Sequence, residues 1–448
     1  MRHGNLLTIL ILIGLVAGAL FGAFVLFHPV DPIGDDHWSY AVGNLILIRP
    51  LMLMIIPLIF VSVVCGVTSI GDPSKLGLVG GATLLYYFTT MLLAVTLGAI
   101  LVTTIEPGQL PEEARTSLVA GADEGYALIQ DRIEEAQAEG KGSLGGAWRN
   151  ILNQIIPTNI VQEMAAGQPL GVIVSALLLG LALVVGGQKT RPAVDFFQAM
   201  FEALMTLVRW IIWLTPVGVF FLVAWTVGKI GIVQLLGPLS KYVATVLIGL
   251  GIHGLIVLPV IAVIFGRTNP FRFMWQMRRA LMTAFGTDSS SATLPVTIET
   301  AEDEGGCSKR SANFVLPLGS TVNMDGTALY EAVAVVFLFQ LYGIDLSTTE
   351  LLIVVITATL AAVGAAGIPS AGLITMVIVI NAVNQSLGEI ALPVAAIGVI
   401  IGIDRIVDMC RTTVNVWGDA VGAKIITRLA PDEPEGALPT APPARTVA

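Results

Sequence analysis

The chain has 448 residues, of which 55% are hydrophobic and only 12% charged, about half the ~25% of an ordinary soluble protein. Lys and Arg total 23 against 32 Asp and Glu, a net charge of −9 with no basic tract, which argues against a disordered chain, a soluble enzyme of usual make-up and a nucleic-acid binder. Three cysteines (Cys65, Cys307, Cys410) and four histidines fall at no metal-ligand spacing, so no disulfide framework, zinc site or His-based catalysis is indicated.

A helix needs ~20 apolar residues to cross a bilayer, and such runs recur along the chain. The first covers 6–27, behind Arg2 and His3. It is long for a cleaved signal peptide and offers no clean cleavage site, so a retained helix is expected. Further runs cover 45–67, 76–104, 170–186, 196–228, 235–265, 314–341 and 394–426. Two apolar segments, 280–298 and 351–384, are broken at their centres, by DSSSATLP from Asp288 and by GAAGIPSAG from Gly364. The composition therefore predicts an all-α polytopic membrane protein.

Basic residues set the orientation. With both termini cytoplasmic, thirteen of the 23 Lys and Arg fall inside, among them Lys75, Lys189, Arg191, Arg278, Arg279, Lys309 and Lys424. The short outer loops hold Lys229 and otherwise Asp31, Asp35, Asp36, Asp345 and Glu350. The acidic loop 106–165 is expected outside as a decoration without chemistry, with a solvated helix over 126–139. The tail after Ala430 is Pro/Ala-rich and expected to be disordered. Both broken segments must then enter and leave on one side, the first from inside and the second from outside. Paired interrupted segments point to a transporter's binding site, because non-helical backbone at that depth survives only where it lines a cavity.

The last run carries Asp404, Arg405, Asp408, Arg411, Thr412, Asn415 and Asp419. Each central charge costs ~2.5–3.5 kcal/mol on insertion scales. On a helical wheel all but Arg405 fall within a wedge of about 100°, and Arg405 lies on its edge. A structural salt-bridge network would balance its charges; here three Asp face one Arg within the wedge, which suits an ammonium group, metal cations and one anionic group. Asn323 to Thr327 (NMDGT) interrupts the preceding run and places Asp325 mid-membrane. Carboxylate, amide and carbonyl oxygens suit a hard cation such as Na⁺. The hydroxyls and free N–H groups of 289–293 suit a carboxylate.

Four ordered motifs resemble the glutamate/aspartate transporter family, the dicarboxylate/amino acid:cation symporters: SSSATLPVT from Ser289, NMDGT from Asn323, GIPSAG from Gly367 and DMCRTTVNVWGD from Asp408. The resemblance covers nearly the whole chain, least so 105–165 and beyond 430. It implies eight transmembrane helices plus two re-entrant helical hairpins, a homotrimer in the plasma (cytoplasmic) membrane, and an elevator-type mechanism. A scaffold would comprise 1–70 and 166–234, and a mobile transport domain 71–105 and 235–428. The loop 106–165 and the tail 429–448 would lie outside both.

The resemblance further implies a substrate pocket of Ser290, Thr327, Gly372, Asp408, Arg411, Thr412 and Asn415. Arg411 would meet the side-chain carboxylate and Asp408 the ammonium. Sodium would bind at Gly319, Asn323, Asn415 and Asp419; at Thr321 with Ala362, Val363 and Ala365; and at Tyr87, Thr90, Asn323 and Asp325. The implied activity is Na⁺-coupled import of aspartate or glutamate, with no cofactor beyond the coupling ion. Proton coupling or a C4-dicarboxylate substrate is the alternative; an intramembrane hydrolase (Asp325 with Asp419, or a serine of 289–291) lacks a base, and an ion channel lacks a visible filter.

Two departures from the family pattern stand out. An Arg that archaeal members carry before the Ser run, and animal members beside the second Asp of the last helix, is absent; Asp288 and Met409 stand there, and an Arg appears at 405. Asp288 and Arg405 are therefore expected to pair. Met91 replaces a hydroxyl that many sodium-coupled members carry after Thr90.

Overall fold

A computed structural model describes residues 2–28, 33–34, 37–70, 73–120, 122–127, 130–131, 133–134, 158–166, 169–230, 239–363, 367, 370–388 and 390–432. Among them there is no β-strand. The helices are α1 Arg2–Phe21, α2 Trp38–Gly43, α3 Arg49–Ile70, α4 Pro73–Ile105, α5 Glu112–Ala120, α6 Ala122–Ala127, α7 Ile160–Ala166, α8 Pro169–Gly186, α9 Arg191–Ile212 and α10 Thr215–Ile230. They continue as α11 Ser240–Ile252, α12 Leu258–Ile264, α13 Pro270–Gln276, α14 Arg278–Thr287, α15 Ser290–Asp303, α16 Lys309–Val322, α17 Asp325–Leu341, α18 Thr348–Val363, α19 Ala371–Leu387 and α20 Gly398–Ile426. Among the described residues, six helical stretches are long and apolar enough to cross a membrane. α20 is not among them, because its charges break the apolar window.

One run reads differently in the structure. The stretch 196–228 is two helices, α9 and α10, separated by a turn at Trp213 and Leu214 ahead of Thr215 and Pro216. A proline at the second position of α10 has no N–H to continue α9, so the ladder stops there. The helix expected over 126–139 lies mostly outside the described residues, as does the tail from 433. The neighbouring α6 is more than decoration: it packs on α20 and on the 3₁₀ turn Val394–Ile397 ahead of it.

α1 lies along α10. Gly14 and Gly18 make that approach close, since a side chain at Gly18 would run into the Phe220 backbone. Small residues are how helices associate in lipid, where no water is released by burial. α3 packs on α8, α9 and α16, and α4 lies along α17. From Ser311 to Phe339 every residue but Leu318 is buried.

Both broken segments are helical hairpins. α14 and α15 pack on each other about a turn at Asp288, and α18 and α19 about a tip that ends at Ser370. Each turn passes through a left-handed non-glycine residue, Asp288 at φ 55° and Ser370 at φ 58°, a conformation that costs ~1–2 kcal/mol in an L-residue. Ser289 caps α15 by accepting from the Ala292 N–H at 3.1 Å. The two tips meet: the Ser289 hydroxyl donates to the Gly367 carbonyl at 2.6 Å, and the Ser291 N–H donates to the same oxygen at 3.1 Å. The hairpin expected on the inner side is wedged between other elements, with α14 against α1, α10 and α20, and α15 against α3, α9, α16 and α20. The one expected on the outer side packs chiefly against α4 and α17.

Candidate functional site

A small cavity lies where the tips converge on α17 and α20, lined by Ser289, Ser290, Met324, Thr327, Gly367, Ala371, Gly372, Asp408, Thr412 and Asn415. Six of the seven residues expected to hold substrate are in this lining. The seventh, Arg411, borders it: a β-carbon added to Gly372 would stand 3.1 Å from Arg411 Nη1 and 3.2 Å from the Thr327 methyl.

Arg411 is fully buried, so its charge is held by neighbours on three sides. Nε donates to Asp408 Oδ1 at 2.5 Å, Nη1 lies 3.3 Å from Asp404 Oδ1, and the guanidinium sits 4.0 Å over the Tyr330 ring. The Tyr330 hydroxyl donates to the same Asp404 oxygen at 2.7 Å. Asp404 and Tyr330 thus orient the guanidinium, a role the sequence reading did not assign. Neither Nη atom of Arg411 makes a hydrogen bond. A buried fork with both terminal nitrogens unbonded matches a carboxylate, which accepts two parallel bonds.

Both hairpin tips are tied to α20. The Ser370 N–H donates to Asp408 Oδ2 at 2.5 Å. On the inner side Asp288 Oδ2 lies 3.1 Å from Arg405 Nε, and the Thr412 hydroxyl is 3.5 Å from Asp288 Oδ1. The pairing expected from the two departures is therefore present.

Two of the three residue sets expected to hold cations are brought together through Asn323. Asn323 Nδ2 donates to Asp419 Oδ1 at 3.0 Å, and Thr90 Oγ1 lies 3.3 Å from Asn323 Oδ1. Gly319 faces Asp419 and the Tyr87 hydroxyl so closely that a β-carbon would collide with the carboxylate. Tyr87 itself donates to the Val315 carbonyl at 2.6 Å. Asn415 bridges to the cavity, its Oδ1 accepting from the Gly326 N–H at 2.7 Å and its Nδ2 donating to Thr327 at 3.2 Å. Asp325 is fully buried, and its Oδ1 has no hydrogen-bond partner. Met91 is fully buried next to Thr90.

The remaining cluster is less assembled. Thr321 donates within its own helix to the Leu318 carbonyl at 3.2 Å. Its helix α16 touches α18, which carries Ala362 and Val363. Ala365 lies outside the described residues.

His253 was passed over in the sequence, although an imidazole inside the run 235–265 was a visible anomaly. It opens a π-helical turn, His253–Val257, between α11 and α12, and its Nε2 lies 3.2 Å from Asp325 Oδ2. A second buried acid, Glu331, accepts from the Thr375 hydroxyl across to the outer hairpin.

The sequence model of the sodium:dicarboxylate symporter family matches residues 7–429. The chain belongs to that family. It is 39% identical to excitatory amino acid transporter 3 of Mus musculus, over 94% of this chain and 84% of that one. It is also 39% identical to the Homo sapiens transporter of the same name, over 89% and 81%. Neutral amino acid transporter B(0) of Homo sapiens is 37% identical over 95% and 80%. The family is one of multi-pass membrane symporters, not enzymes.

Proposed function

We propose that this chain is a secondary active symporter that imports an acidic amino acid, aspartate or glutamate, together with Na⁺. The observation that carries this reading is Arg411: a fully buried guanidinium at the edge of the cavity with both Nη atoms unbonded, next to Asp408 and Asp404. A site that offers a cation fork and adjacent carboxylates matches a ligand with an ammonium group and an extra carboxylate. Similarity extends to a neutral amino acid transporter as well as to excitatory ones. A neutral side chain would leave both Arg411 Nη atoms without a hydrogen bond in a water-poor site, which disfavours it by the cost of buried unsatisfied donors.

In this reading the substrate carboxylate meets Arg411, its ammonium meets Asp408, and its α-carboxylate meets Ser290, Asn415 and the N–H groups of the tips. Sodium is held by Asn323, Asp325 and Asp419 with backbone carbonyls. The cycle is of the elevator type, in a trimer with cytoplasmic termini: α4, α11 to α20 and both hairpins move against α1, α3, α8, α9 and α10. Uptake of labelled aspartate into proteoliposomes tests it. A Na⁺ gradient drives accumulation; uptake that ignores Na⁺ and follows an acid-outside pH gradient overturns the coupling, and no competition by aspartate or glutamate overturns the substrate class.

A further inference from the structure

Asp288 sits at the turn of the inner hairpin, 1% exposed, in a left-handed conformation that non-glycine residues sparsely populate. Its carboxylate reaches Arg405 on α20 at 3.1 Å. The Arg405 guanidinium in turn lies 5.4 Å from the centre of the Trp225 ring on α10, within the range of a cation–π contact. Trp225 is itself fixed, its indole N–H donating to the Gly34 carbonyl at 3.0 Å and its ring 4.6 Å from that of Tyr40. The three groups form a line from the tip that borders the cavity, through the last helix, to α10.

From this geometry we infer that Arg405 is a positioning residue that holds the inner tip shut, and holds it most firmly while the tip is seated beside Trp225. The inference rests on the proposed division into a fixed part containing α10 and a moving part containing α14, α15 and α20. An uncharged side chain at 405 leaves the Asp288 carboxylate buried with only a 3.5 Å approach from the Thr412 hydroxyl. The tip then loses the contact that offsets both its buried charge and its backbone strain. Moving the hairpin away from α10 removes the Trp225 ring from Arg405 and weakens the same hold. The inner tip is thereby secured where it is docked and loosened where it is not.

Hydrogen–deuterium exchange on the detergent-solubilised full chain tests this, read at the tip amides 286–292. Arg405→Gln and Asp288→Asn should each speed tip exchange at least tenfold, and the double variant should be no faster than either single one. Arg405→Lys, which keeps the charge but not the planar fork, should fall between. Trp225→Leu should speed the tip and Trp225→Phe should leave it as in the parent. Unchanged tip exchange in Arg405→Gln, or single effects that multiply in the double variant, overturns the inference. So does faster exchange spread equally over α17, which would make Arg405 a general determinant of the fold. Aspartate binding by the same samples is read separately: a parent protein that binds none refutes the proposed substrate while the tip result stands on its own.

Discussion

His253 Nε2 stands 3.2 Å from Asp325 Oδ2, with both side chains fully buried. The imidazole occupies Oδ2 and leaves Oδ1 unpartnered; a β-carbon on Gly418 would touch both Asp325 Oδ2 and the Asn323 amide nitrogen. His253→Ala removes the only described partner of that carboxylate, at a cost of ~1–3 kcal/mol. Melting should therefore fall, and Na⁺ should restore more of it than in the parent, because a ligand that binds only the folded state stabilises it by mass action. Melting curves in NaCl and in choline chloride give the comparison; an identical Na⁺-dependent shift in both proteins would dissociate His253 from the cation site.

Arg411→Cys takes away the buried fork. Acidic-substrate affinity should drop by ~2–5 kcal/mol, as for truncation of a buried charge partner, and small neutral amino acids should gain access. Competition binding with aspartate and with serine or alanine measures both. Unchanged aspartate affinity would show that another group holds the side-chain carboxylate.

Asp288, Asp325, Asp404, Asp408 and Asp419 outnumber Arg405 and Arg411, so the side chains around the cavity carry an excess of carboxylates before substrate binds. Moving a net negative charge inward against an inside-negative potential costs ~2.3 kcal/mol per charge per 100 mV. Cations must bind to offset it. Aspartate binding to solubilised protein should tighten steeply with NaCl and hardly with choline chloride at equal ionic strength. Asp419→Asn should flatten that dependence, since it removes the carboxylate facing Asn323 and Gly319.

Gly326 lets α17 start directly against α20. A β-carbon there would stand 2.9 Å from Arg411 Cα and 3.0 Å from its carbonyl carbon, and closer still to its carbonyl oxygen. Backbone cannot yield as a side chain can, so Gly326→Ala should cost ~1–3 kcal/mol by overpacking and displace Arg411 from the cavity. Lower melting temperature together with lost aspartate binding is expected; normal binding would mean that α17 and α20 separate without moving the guanidinium.

Much of this site was legible because lipid leaves few reasons for polar residues. The wedge Asp404, Asp408, Arg411, Asn415 and Asp419 stood out against an apolar helix, and the structure gathers these residues around the cavity and Asn323. The pairing of Asp288 with Arg405 followed from an Arg missing at 288 and 409, where the family pattern has one, and an Arg appearing at 405. His253, Tyr330 and Glu331 were not read, since each finds its partner on another helix: Asp325, Asp404 and Thr375. Periodicity reports one helix at a time. The same limit hid the turn at Trp213, where hydropathy continues across a break that Pro216 imposes, and the docking of α6 on α20.

The two hairpins are unequally enclosed, and in the proposed cycle this bears on efficiency. α14 and α15 are walled in by α1, α3, α9 and α10, whereas the outer hairpin rests chiefly on α4 and α17. From the present position the outer tip is held, among the described residues, by the Ser370–Asp408, Gly367 and Thr375–Glu331 contacts, while the inner tip has no room to swing until the whole moving part has travelled. A single wall therefore forbids both gates from opening together. No separate signal between them is needed to prevent a leak, and ions that enter with the substrate have no path to cross without it.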